Sequence, residues 1–179
     1  MATINGITIK SYREFSGIEY PTIRECTVWK DGKKIGTYRE DEWGASGHFT
    51  TGLEETLRPF ALQYQRGCYD DDEYKKYESS PEIFLSHILY IAEMEKLYKK
   101  GLAKNHKYTL FIGNNDFYIA FSSSEMLITR YKRIESIQKA IKKNFPNDKY
   151  YLFEASSLDD FCITVDEYHR VPFYIHMRY

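Results

Sequence analysis

The chain has 179 residues, with 25 Lys and Arg against 26 Asp and Glu and a formal net charge of −1, so as a whole it is not a polycation made for nucleic acid. With 17 tyrosines and 11 phenylalanines it is too aromatic for a disordered chain, and its length suits one domain that buries about two-thirds of its unfolded surface. Three widely spaced cysteines (Cys26, Cys68 and Cys162) fit neither a disulfide framework nor a zinc site, and no signal peptide or membrane-spanning run is found, so a cytoplasmic protein without membrane contact or cofactor is expected.

In chain order, "TINGITIKSYREF" alternates with period two and predicts a first strand with Ile7, Ile9 and Ser11 on one side. "TIRECTVWKDGKKIGTYRE" predicts a hairpin. Two β-rich runs flank Asp31-Gly32, a pair suited to a type I′ turn, and the return strand runs from about Lys33 to Arg39. After the loop "EDEWGASGHFTTG", the positions Leu57, Phe60, Ala61 and Tyr64 form one apolar helical face. Thr56 is the expected cap of that helix, Pro59 lies in its expected first turn and Gly67 is its expected stop. The acidic stretch from Cys68 to Ser80 reads as a linker or exposed loop.

Ser80 and Pro81 start a second helix, predicted over about 81–100, with Lys99 and Lys100 in its last turn and Gly101 after it. Its apolar positions cover nearly the whole circumference apart from Ser86, Glu93 and Lys100, so burial is expected, and Glu95 inside the apolar arc needs a partner. "KYTLFIG", "DFYIAF" and "KYYLFEA" predict strands, with Asn114-Asn115 turning the first into the second. A helix is expected over about 125–144, with Leu127, Ile134, Ile137, Ile141 and Phe145 on one face and Pro146 ending it. Ser156-Ser157-Leu158-Asp159 resembles a capping box, "FCITVD" predicts a short strand, and "VPFYIHMRY" a last one. The fold class is α+β: an N-terminal antiparallel hairpin or meander, then a mixed helix–strand half with two main helices. A single domain over 1–179 is expected, with a β-rich half to about 67 and an α+β half from about 80, joined by the acidic loop.

Two charged surfaces are candidates for partner contact. The helix at 125–144 carries Arg130, Lys132, Arg133, Lys139, Lys142 and Lys143 against the acids Glu125 and Glu135, and could meet phosphates. The loop Asp70-Asp71-Asp72-Glu73 could enter a basic groove. Each also reads as an ordinary solvated face or linker. Trp43 is either a lid over a sheet end or a contact residue. A catalytic or metal reading would use Glu40, Asp41, Glu42 and His48, but that run also has the chemistry of a turn. His169 and His176 are an odd number of residues apart, which puts them on opposite sides of a strand. The common nucleotide, hydrolase and zincin signatures are absent.

The block "FSGIEYPTIRECTVWKDGKKIGTYREDEWGASGHF" resembles a pattern in small accessory proteins of phages and integrative elements of Gram-positive bacteria. The shared positions are Gly17, Glu19, Asp31, Gly32, Lys33, Lys34, Ile35, Gly36, Asp41, Trp43 and Gly44, with a departure at Ala45, where the pattern has a second glycine. "EMEKLYKKGLAKNHKYTLFI" and "LDDFCI" extend the likeness over most of the chain. Some members of that group are anti-CRISPR proteins that block type II effector nucleases. The resemblance therefore implies a binding protein of a mobile element, acting in the cytoplasm of a bacterial host on a CRISPR effector nuclease or its ribonucleoprotein. The alternatives are a nucleic-acid-binding accessory protein that uses the basic helix, and a small metal-dependent nuclease.

Overall fold

The structure is a computed structural model that describes residues 1–16, 23–40, 47–68, 80–106, 108–113, 118–123, 135, 136, 139, 142, 143 and 151–164. It is an α+β protein, as the hydrophobic periodicities indicate. The chain divides into two compact units, one of Met1–Glu93 with Phe161–Tyr168, the other of Met94–Asp160 with His169–Tyr179.

The first unit holds strands β1 (Thr3–Ile4), β2 (Ile7–Phe15), β3 (Ile23–Lys30), β4 (Lys33–Arg39), β5 (His48–Phe49) and β9 (Cys162–Ile163), in the order β5-β4-β3-β2-β1-β9. All neighbours are antiparallel except β1 and β9, which run parallel with Thr3 opposite Cys162. The Asp31-Gly32 hairpin is present as expected. Both turn residues have positive φ, 49° and 76°, and Lys30 pairs with Lys33 across the turn. Gly32→Val should therefore cost about 1–2 kcal/mol, because a β-branched residue resists that conformation. A thermal melt of the variant that overlays the parent's would contradict this.

The expected single first strand is instead two. Asn5 and Gly6 adopt φ of 49° and 78° and fold Thr3–Ile4 back on Ile7–Thr8. This Asn-Gly pair has the same turn chemistry as Asp31-Gly32. Ile7 and Ile9 are buried as expected, but Ser11 is exposed with φ 52°. Three steps of β2 from Lys10 to Arg13 face two steps of β3 from Thr27 to Glu25, so a bulge shifts the alternation by one. Tyr12 and Glu14 then share a face with Arg24 and Cys26, while Lys10, Arg13 and Phe15 share the other with Thr27, Glu25 and Ile23.

Helix α1 spans Leu53–Cys68 and buries Leu53, Leu57, Ala61 and Tyr64 at helical spacing. It begins earlier than the sequence signals suggest. Thr56 is inside it, with Oγ1 donating to Gly52 O at 2.7 Å, and Pro59 is interior rather than in the first turn. Gly36 is the reason α1 can start close to β4, since an added Cβ would lie 2.5 Å from Thr50 Oγ1 and 2.8 Å from Leu53 Cδ2.

Helix α2 spans Pro81–Leu102. Ser80 Oγ accepts the Ile83 N–H at 3.3 Å, the expected cap, and Asn105 with φ 60° lies just past the other end. Phe84, Leu85, Ile88, Leu89, Ile91 and Met94 are all buried. In the first unit Tyr64 of α1 packs edge-on against Phe84 at 5.5 Å. Glu95, 4% exposed, is paired as anticipated, its Oε1 lying 2.7 Å from Lys99 Nζ one turn on.

The second unit contains strands β6 (Tyr108–Gly113), β7 (Tyr118–Ser123) and β8 (Tyr151–Ala155) in the antiparallel order β7-β6-β8. Phe111 on the central strand is fully buried, and its backbone is in register with Ala120 on one side and Phe153 on the other. The 3-10 turn Leu158–Phe161 is tied by Asp160 rather than Asp159. Its Oδ2 accepts the N–H groups of Ser156 and Ser157, each at 2.8 Å. The turn at Asn114-Asn115 and the strand expected in "VPFYIHMRY" lie outside the described residues.

Candidate functional site

Of the basic residues singled out in the sequence, Lys139, Lys142 and Lys143 are helical and exposed. Their spacing of three and four puts them on one side of the helix. Glu135 is likewise helical and exposed. Lys132, Arg133, the acidic run Asp70, Asp71, Asp72 and Glu73, and Trp43 lie outside the described residues, as do Asp41, Glu42, His169 and His176.

The catalytic alternative is not assembled by the residues that are described. Glu40 is engaged by Arg24, whose backbone N–H donates to Oε2 at 2.9 Å and whose Nε lies 2.9 and 3.0 Å from the two carboxylate oxygens. His48 is exposed on β5 opposite Arg39, which puts it in register with Glu25 on the other sheet face from Arg24. Among the described residues no group of three or more His, Cys, Asp or Glu could hold a metal ion. Cys26 is buried, and burial, with the nearby Glu40 and Glu25 carboxylates, pushes its thiol up to about 12. It is a protonated core thiol at neutral pH, poor as a nucleophile. Cys162 is exposed, with Sγ 3.6 Å from Met1 O.

Two features do not follow from local sequence patterns. The first is a part-buried polar network between the sheet's inner face and α2. Arg24 Nη1 lies 3.5 Å from Glu93 Oε1, and its guanidinium stands 5.0 Å over the Tyr90 ring. Tyr12 donates to Glu93 at 2.7 Å and also contacts the Glu14 carboxylate. Burial alone would lower the Arg24 pKa, but the Glu40 pair outweighs it and the guanidinium stays charged. Burial and the two carboxylates raise Tyr12 far above the ordinary tyrosine value, so it remains a neutral donor. The groups satisfy one another, which is the chemistry of a clasp joining β2, β3 and α2. Glu82 adds a similar tie, accepting the Gly47 N–H at 2.7 Å and the Tyr38 hydroxyl at 3.3 Å.

The second feature is the outer face of the same sheet. The register places Lys10, Arg13 and Phe15 of β2, Glu25, Thr27 and Trp29 of β3, and Lys34 and Arg39 of β4 on it. All of these are exposed or part-exposed, while Ile23, which the register places on the same face opposite Phe15, is buried. Trp29 Nε1 donates to Thr27 Oγ1 at 2.9 Å, and that hydroxyl donates to Lys10 O at 3.0 Å, which lays the indole along the sheet. Lys10 Nζ stands 3.9 Å from the Trp29 ring centroid, and the Arg39 guanidinium 4.8 Å from that of Phe15.

No family model, curated protein or solved structure matches the chain. Its functional reading therefore rests on its own surfaces and on the resemblance described above. No helix of the described residues is long and apolar enough to cross a membrane.

Proposed function

We propose that the chain is a binding protein of a mobile element, an anti-CRISPR protein that inhibits a type II CRISPR effector by direct contact through its basic helix. The resemblance supplies the class of target. The observation that supports the contact surface is the exposed triplet Lys139, Lys142 and Lys143 on one helical side. Cations held on a helix need little ordering on binding, which keeps the entropic cost of association low. An RNA-guided effector holds a polyanionic heteroduplex and a displaced strand at its surface, so a cationic ridge has a complementary partner there.

The test is co-elution of the purified chain with an assembled type II effector ribonucleoprotein, beside the variant Lys139→Glu, Lys142→Glu, Lys143→Glu. The variant should fold as the parent does, because exposed charges contribute little to stability. It should bind at least about tenfold more weakly at low salt. Binding that vanishes in EDTA and returns with a divalent ion would favour the metal-dependent enzyme instead. Strongly salt-dependent binding to bare duplex nucleic acid that the triple variant loses would favour the accessory-protein reading.

A further inference from the structure

We propose that the outer face of the N-terminal sheet is a binding platform for single-stranded nucleic acid, a site separate from the lysine helix. Single-strand binders combine aromatic rings that stack bases with cations that follow the backbone, and a β-sheet surface is a common place for both. Here Trp29 and Phe15 supply the rings, and Lys10, Arg13, Lys34 and Arg39 supply the charge. Glu25 is the one acid that the register of β2, β3 and β4 places on this face among the described residues.

Three details favour a nucleic acid over an acidic protein. The indole is oriented in advance by its bond to Thr27, so stacking a base costs no rotamer freedom at Trp29. Each ring already holds a cation, Lys10 at Trp29 and Arg39 at Phe15, and a base that stacks on the ring displaces that cation from the face onto its own phosphate. Trp29 pairs with Thr8 and Phe15 with Ile23, six residues apart along β3, which places their backbone positions about 20 Å apart. That span suits the roughly 4–16 nucleotides that sheet-based OB-fold binders occupy. An acidic peptide would use the cations but leave two separated ring platforms without a purpose.

The experiment measures anisotropy of a labelled oligo(dT) of about 12 nucleotides, with a matched duplex as the comparison. Trp29 emission is followed in a Trp43→Phe background, since the chain has 2 tryptophans. The single strand should bind more tightly than the duplex and quench Trp29. Trp29→Leu should weaken binding about tenfold or more, and Trp29→Phe should restore most of it. Arg13→Ala with Lys34→Ala changes two exposed side chains and should leave the fold intact. It should weaken binding and flatten the slope of log affinity against log salt by about 1.4. The triple lysine-helix variant should bind the oligonucleotide as the parent does. No saturable binding, equal preference for duplex, an unchanged affinity in Arg13→Ala with Lys34→Ala, or loss of binding in the lysine-helix variant would each overturn the proposal without touching the effector reading.

Discussion

Replacing Phe111 by alanine should destabilise the fold by about 3–5 kcal/mol, the range for removing a buried aromatic ring that leaves a cavity. Phe111 is 0% exposed on the central strand of the three-stranded sheet, so no water replaces the ring and the backbone on both sides is held by ladders to β7 and β8. In urea unfolding the midpoint should fall with little change in slope, since the surface exposed on unfolding is nearly the same. A loss below about 1 kcal/mol would mean that the site collapses around the gap and that Phe111 is not the centre of that core.

Acid should destabilise the protein through His87. The ring is 5% exposed, its Nδ1 lies 2.7 Å from the Tyr64 hydroxyl, and burial lowers its pKa from 6.5 to about 4. The unfolded chain therefore binds this proton at a higher pH than the folded one. Stability from the neutral ring is present above about 6.5 and is lost as pH falls towards about 4, below which both states are protonated and the contribution is flat. The loss is on the order of 3 kcal/mol over that window. His87→Gln should flatten this part of the stability–pH curve, whatever it does to the absolute stability. A curve between pH 4 and 6.5 that keeps the parent's slope in the variant would assign the acid lability to other groups.

Local signals carried most of the fold. The Asp31-Gly32 hairpin, the Ser80 cap and the buried circumference of α2 follow from turn chemistry, capping and periodicity within a few residues. Asn5-Gly6 had the same turn chemistry as Asp31-Gly32 but was hidden in a run that alternates well enough to read as one strand. Thr56 and Pro59 form a convincing start signal inside the helix that begins at Leu53, while the earlier start depends on Gly36 letting the chain approach β4.

The surfaces were harder to read for a different reason. A bulge adds one residue to β2, so a period-two reading assigns everything after Lys10 to the wrong side. Tyr12 then looks outward and Arg13 inward, and neither the Arg24–Glu40–Glu93 clasp nor the Lys10–Trp29 and Arg39–Phe15 pairs can be assembled from spacing. Register is a tertiary property, and no local pattern around Ser11 announces its φ of 52°. The lysine helix was legible because charge and helical spacing are both local quantities.

Inhibition of a type II effector by contact through Lys139, Lys142 and Lys143 is the activity proposed for this chain. Target-DNA cleavage by an assembled type II ribonucleoprotein, measured with the folded chain added in excess, tests it most directly. Cleavage should be suppressed by the parent, with EDTA-treated protein acting as well as untreated protein, and should return towards the uninhibited rate with the variant Lys139→Glu, Lys142→Glu, Lys143→Glu. Cleavage that proceeds at the uninhibited rate under a saturating excess of folded parent chain would contradict the claim.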